Sequence, residues 1–260
     1  METILSIADS TPTPAMPWQR LVGAYVAEAR SECLRYMRAP SFILPMLLFS
    51  TVFYLMFGVL LNHGDASRYL LASYSAFGII GPGLFGFGVS LAIERDGGLL
   101  TLKRALPMPP GAYLLGKMVM AMIAATIVTI LLILIGVFLA HVTLSAQQIA
   151  SLMITGAFGV LPFCALGMLV GTLIKGQGAP GLLNLIYLPM AFLSGLWLPL
   201  SVLPQALQKL APIWPSYHLN QLTLAAVGSS HQPLLPHALA LAGYTMVFLT
   251  LAARRLRRYG

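Results

Sequence analysis

The carboxylates of this 260-residue chain are Glu2, Asp9, Glu28, Glu32, Asp65, Glu94 and Asp96, and no acid follows Asp96. Acid–base and metal chemistry both need such groups to converge. A carrier driven by protons or sodium also places an ionisable group near the membrane midplane. None of the seven falls clearly inside an apolar run, which argues against a secondary carrier. Paired carboxylates at helical spacing inside a span and the zinc motif HExxH are missing. Ser194-Gly195 in AFLSGLW has the look of an intramembrane nucleophile, but its histidine candidate, His218, lies across a proline-rich stretch. Small residues of this kind suit close helix packing better. His63, His141, His218, His231 and His237 show no convergent spacing and read as polar residues of the outer side. Cys33 and Cys164 read as two unpaired thiols. The expectation is a chain with no catalytic, cofactor or metal site of its own.

The chain also lacks a phosphate loop, GxxxxGK[ST], so energy for any transport has to enter from outside. The glycine run GIIGPGLFGFG carries no lysine and reads as packing glycines around a bend at Pro82. What charge there is gathers in ERDGGLLTLKRALPMPPGAYLLGK, residues 94–117, where two acids, four bases and three prolines fall within 24 residues. Gly97-Gly98 break the preceding helix, and Pro107, Pro109 and Pro110 stop the next one. LLTLKRAL between them predicts a short amphipathic helix joined stiffly to two long apolar segments. Leu99, Leu100, Leu102, Leu106 and Met108 exceed what a free loop needs, and apolar residues among bases suit a protein-docking surface.

These residues need a frame, and composition supplies it. The chain is 58% hydrophobic and 8% charged, with a mean hydropathy of +0.85. Soluble domains carry about 25% charged residues, so much of this surface must face lipid. Helical spans need about 20 apolar residues, and six runs qualify: Phe42–Leu61, Tyr69–Ile93, Tyr113–Ala140, Gln148–Leu173, Gly181–Leu200 and Leu234–Ala253. They do not alternate as barrel strands would. Residues 18–40 repeat apolar positions at steps of three and four, with Trp18, Arg30, Arg35 and Arg38 placed as interfacial anchors on an amphipathic helix. Between spans five and six, Pro199, Pro204, Pro212 and Pro215 divide the chain into two short helices, 205–210 and 216–227. Trp214, Tyr217 and His218 suit interfacial depth there, so both helices are expected to be re-entrant. The fold class is all-α integral membrane: six transmembrane helices, an N-terminal amphipathic interfacial helix, a cytoplasmic coupling helix and short outer helices. Residues 1–17 read as a flexible tail, 41–253 as the six-span domain and 254–260 as a basic tail.

The formal charge of +8 does not imply nucleic acid. With the N-terminus inside, thirteen bases lie on the inner side: Arg20, Arg30, Arg35, Arg38, Arg95, Lys103, Arg104, Lys117, Lys175, Arg254, Arg255, Arg257 and Arg258. Only Arg68 and Lys209 lie outside. This asymmetry places both termini in the cytoplasm and turns the bases toward anionic lipid. No cleavable signal peptide is evident before Phe42.

The 94–117 segment resembles the signature of ABC-2-type permeases: an acidic–basic pair, glycine, a leucine-rich turn, proline, and a Gly-Lys opening the third span. SGLWLPLSVLPQALQKLAPIWPSYHLNQL, residues 194–222, resembles the end of the fifth span and the outer helices of that family. The likeness covers about residues 18–258. It implies a permease that dimerises, most simply with itself, and docks two cytoplasmic ATP-binding subunits, which hold ATP and magnesium; this chain binds no cofactor. Glu94, Arg95, Gly98, Leu99, Leu100, Leu102, Lys103, Arg104 and Leu106 would then couple to the ATPase. The outer region would centre on Pro204, Trp214, Pro215, Tyr217 and His218. Asp96-Gly97-Gly98 departs from the family pattern, which often has another acid and one glycine, and leaves the helix start open. The bases-then-proline approach to the first span resembles drug and antibiotic exporters of the bacterial inner membrane, implying a hydrophobic or amphiphilic substrate. Export of glycan, lipid-linked polysaccharide or peptide is the alternative, followed by a membrane assembly protein that transports nothing.

Overall fold

The computed structural model describes residues 17–62, 64–105, 109, 111–230 and 232–259. Residues 1–16 of the tail expected over 1–17, the residues Leu106, Pro107, Met108 and Pro110, and His63 and His231 lie outside the described residues, as does the side chain of Arg104. Every regular element among the described residues is helical. In chain order they are α1 (Trp18–Met37), α2 (Pro40–Phe53), α3 (Asp65–Gly81), α4 (Gly88–Asp96), α5 (Leu99–Ala105), α6 (Ala112–Phe138), α7 (Ala146–Gly159), α8 (Leu161–Gly171), α9 (Ala179–Leu193), α10 (Gln205–Leu210), α11 (Pro215–Ala226) and α12 (Leu234–Tyr259). Four helical stretches are long and apolar enough to cross a membrane: Asp65–Asp96, Ala112–Phe138, Ala146–Gly171 and Leu234–Leu256. The first and fifth apolar runs give shorter helices, with α2 passing into a π-helical stretch at Tyr54–Leu60 and α9 ending at Leu193.

Sequence explains where these rods bend and stop. Pro82 lacks the amide that would continue the ladder, and a π-helical stretch, Pro82–Phe87, joins α3 to α4 there. Pro162 stands in the first turn of α8, where a missing amide costs nothing, and the fourth apolar run is two helices meeting at Val160. Gly195, at φ +74°, ends the fifth run earlier than its hydropathy predicts. The basic end of the chain, expected as a tail, continues α12 to Tyr259.

The core forms around the 65–96 rod, whose best apolar window is 83% buried, whereas that of α12 is only 6% buried. A side chain could not fit between that rod and α8. A Cβ on Gly83 would stand 2.8 Å from the amide nitrogen of Cys164, and one on Gly88 2.9 Å from the carbonyl of Gly167. Reciprocally, a Cβ on Gly167 would stand 2.8 Å from the carbonyls of Gly83 and Leu84. Close backbone approach of this kind drives helix association where lipid removes the hydrophobic incentive. The glycines of the 65–96 rod thus serve the packing role expected of them.

Candidate functional site

The predicted coupling segment begins where Gly98 takes φ +74°, a left-handed conformation that glycine adopts freely. The carbonyl of Gly98 then accepts from the Leu102 amide at 3.2 Å, so α5 starts at once. This settles the helix start that the double glycine left open. Within α5, Leu99 and Leu100 are half-buried and Leu100 packs on the main core. Leu102 points away from the bundle and is 62% exposed. The short helix therefore has an anchored face and a free apolar one.

Glu94, Arg95 and Asp96 do three different jobs. Arg95 donates to the carbonyls of Thr172 at 2.5 Å and Ile174 at 2.8 Å, satisfying carbonyls that the end of α8 leaves open. Asp96 accepts from the Gly176 amide at 2.6 Å. Both thereby fasten the foot of α4 to the turn after α8. Glu94 instead faces inward, is buried, and accepts from the Tyr113 hydroxyl.

Around Glu94 the structure assembles a cluster from four helices. Lys117, on the second turn of α6, is 0% exposed. Its ammonium donates to Glu32 at 3.0 Å, Glu94 at 2.9 Å and Ser90 at 2.8 Å, which uses all three of its hydrogens. Arg35 pairs with Glu94 and, at 2.6 Å, with Glu32. Lys103 of α5 pairs with Glu28 and, at 3.4 Å, with Glu32. Its ammonium also lies 4.4 Å from the centre of the Tyr113 ring. Glu28, Glu32 and Glu94 thus balance Arg35, Lys103 and Lys117 in one knot whose buried centre is Glu32, Glu94 and Lys117, with Arg35 at its exposed rim. Burial opposes charge on Arg35, but Glu94 and Glu32 outweigh it and push its pKa upward. Burial and the neighbouring Glu32 raise the Cys33 thiol, which keeps it protonated and unreactive.

Two features missing from the sequence reading stand out here. Gly116-Lys117 reads from sequence as structural, yet Lys117 is the hub of the cluster. The sequence reading gives the acids of α1 no role; Glu32 is buried, and exposed Trp18, Val22, Val26 and Met37 form the lipid-compatible side. A legible signal existed: Glu28 and Glu32 are four apart on one helix face, and an apolar chain rarely leaves acids unpaired. Arg30 and Arg38 are exposed, whereas Arg35, expected as an interfacial anchor with them, pairs with Glu32 and Glu94.

A second feature lies deeper. A cavity of about 310 Å³ opens between α2, the 65–96 rod and α9, lined by Pro45, Phe49, Phe77, Phe85, Asn184 and Tyr187. Phe77 and Tyr187 stack at 4.8 Å, and the Tyr187 hydroxyl is committed to the Phe77 carbonyl at 3.0 Å. The wall is therefore aromatic and nearly uncharged.

At the opposite end, α10 and α11 occupy the positions the prolines predict. Pro204 and Trp214 precede the two helices, and Pro215 opens α11. Pro204 is exposed, Trp214 and Tyr217 are half-buried, and Pro215 is buried. Ser194 meets the hydroxyl of Ser216, and among the described residues no histidine bonds it, an arrangement that suits packing. His218 bonds His237, which corrects the reading of these two as unrelated polar residues of loops.

The family model described as ABC-2 type transporter matches residues 24–227. A protein of Bacillus subtilis (strain 168) that carries the name transport permease YvfS is 27% identical over 227 residues, covering 85% of this chain and 92% of that protein.

Proposed function

Because the chain belongs to the ABC-2 type transporter family, we propose that it is the membrane subunit of an ATP-driven exporter whose motor is a separate cytoplasmic ATPase. Membership makes it a membrane transport permease. The observation that carries the finer reading is the bond between α5 and the rest of the bundle. Lys103 ties α5 to Glu28 and Glu32 of α1, and Glu32 shares Lys117 with Glu94 at the foot of the central rod. A push on the free face of α5, at Leu102, reaches α1, α4 and α6 through three consecutive ionic contacts. Those contacts can exchange partners within a balanced cluster, so the helices can shift without leaving a buried charge alone.

Two ATPase copies dock on the α5 faces of two permease copies, and they hold the ATP and magnesium. The chain crosses the bacterial inner membrane six times, the shorter α2 and α9 completing the four long crossings, with both termini in the cytoplasm. The aromatic cavity beside α9 suits a hydrophobic or amphiphilic substrate moved outward, since its walls offer rings and no charge.

The test is purification of the full chain from its native host membranes, followed by measurement of co-purifying ATPase. Leu102→Asp is expected to abolish co-purification and substrate-responsive ATP turnover while leaving the permease folded. Unchanged ATPase stoichiometry and turnover in that variant would overturn the coupling assignment.

A further inference from the structure

His218 and His237 stand apart from both the ionic cluster and the aromatic cavity, at the end of the bundle opposite α5. They come from different helices, α11 and α12, yet their Nδ1 atoms lie 2.9 Å apart. Nε2 of His218 lies 3.0 Å from the Pro212 carbonyl. A carbonyl only accepts, so this nitrogen carries the hydrogen, and Nδ1 of the neutral ring presents a lone pair. That lone pair is aimed at Nδ1 of His237. Two nitrogens in this relation share either one proton or one cation.

We propose that His218 and His237 form a two-imidazole site for a borderline divalent transition metal such as Zn2+ or Cu2+, bridging α11 to α12. Imidazole suits these ions. The Pro212 carbonyl supplies the outer hydrogen bond that fixes tautomer and ring orientation in histidine–metal sites. Ligands about 2.1 Å from a tetrahedral ion stand about 3.4 Å apart, so the rings need separate by only about 0.5 Å from their present spacing. On binding, the hydrogen of His237 moves from Nδ1 to Nε2, a change of tautomer that releases no proton from the neutral pair. His237 is 9% exposed and His218 half-buried. The Tyr217 ring stands 5.4 Å from His218 and 5.8 Å from His237, walling one side. The Tyr244 hydroxyl is already committed to the Ile213 carbonyl at 2.6 Å.

Among the described residues no group of three histidines, cysteines or acids converges anywhere. The site therefore has two protein ligands and leaves other positions to water, unlike the closed four-ligand sites that hold structural zinc. Binding is accordingly reversible and exchangeable. Burial, partly opposed by the Pro212 carbonyl, lowers the His218 pKa below the ordinary imidazole value.

The experiment uses the untagged full chain in nanodiscs, stripped with chelator and titrated with Zn2+ or Cu2+ at neutral pH. The expected result is a saturable rise in melting temperature, reversed by chelator, with two imidazole nitrogens in the Cu2+ electron paramagnetic resonance spectrum. His218→Gln and His237→Gln, which keep a hydrogen-bonding group, should each weaken binding by more than about tenfold. His141→Gln should leave it unchanged. A wild-type chain showing no saturable shift overturns the proposal, and the pair then shares a proton only. Equal binding in both Gln variants overturns it too. Should either variant melt lower without metal, the wild-type Cu2+ spectrum decides: fewer than two imidazole nitrogens refutes the site.

Discussion

The two ends of this helical bundle are closed by different chemistry. At the α5 end, four helices meet on three acids and three bases that are largely out of water. At the other end the ties are mostly neutral. Gln148 donates to the Val227 carbonyl at 3.0 Å, Asn220 donates to the Gly195 carbonyl at 3.2 Å, and Ser194 meets Ser216. Even Arg68 bonds the carbonyl of Thr143, at 2.7 Å, rather than an acid. A neutral hydrogen bond contributes about 0.5–1.5 kcal/mol and can be lost singly. A buried ion cluster contributes little net, because desolvation cancels most of the attraction, yet losing one member strands its partner. The neutral end can therefore change bond by bond, whereas the ionic end can shift only by exchanging partners among its own members.

Removing one partner at each end breaks or sharpens this contrast. Lys117→Met should cost the most, about 3–5 kcal/mol, by leaving Glu94 and Glu32 short of their cation; equilibrium unfolding in mixed micelles measures it. Gly88→Val should cost about 1–3 kcal/mol by forcing a side chain against the Gly167 backbone, read by the same titration. Gln148→Ala should cost only about 1 kcal/mol. A Gln148→Ala loss equal to that of Lys117→Met would erase the distinction between the ends. Leu102→Asp should stay within about 0.5 kcal/mol of the parent while losing the ATPase, because its side chain touches little of its own chain. Smallest of all is the expected effect of salt. Raising ionic strength from about 0.1 M to 1 M cuts the screening length from about 10 Å to 3 Å. The Lys117→Met penalty should nonetheless hold, since Lys117 is fully buried.

The sequence revealed those features whose cause is local. Gly97-Gly98 open α5, Pro204 and Pro215 open α10 and α11, and the glycines around Pro82 foretell a close contact. Each depends on backbone rules acting over a few residues. The ionic cluster leaves only the four-residue spacing of Glu28 and Glu32 as a local trace, since Lys103 finds Glu28 across 75 positions and Lys117 finds Glu32 across 85. Pairing at that range is set by which helices pack, and a single chain's periodicity does not encode the packing partner. The same limit hid His218 and His237, brought together by α11 and α12. Hydropathy also overran the fifth apolar run, because it cannot register a left-handed glycine at position 195.

The seam of Gly83 and Gly88 against Gly167 and Gly171 has a mechanical consequence. Side chains between helices act as a compressible cushion, absorbing small displacements by changing rotamer. Here backbone rests on backbone, with a Cβ on Gly171 only 2.6 Å from the Gly88 carbonyl. The central rod and α8 consequently form a single stiff spar. Arg95 and Asp96 bolt the foot of that spar to the turn beyond α8, and Arg255 of α12 reaches the same Thr172 carbonyl at 3.4 Å. A displacement of the foot would be carried along the spar toward α2 and α9, which flank the aromatic cavity.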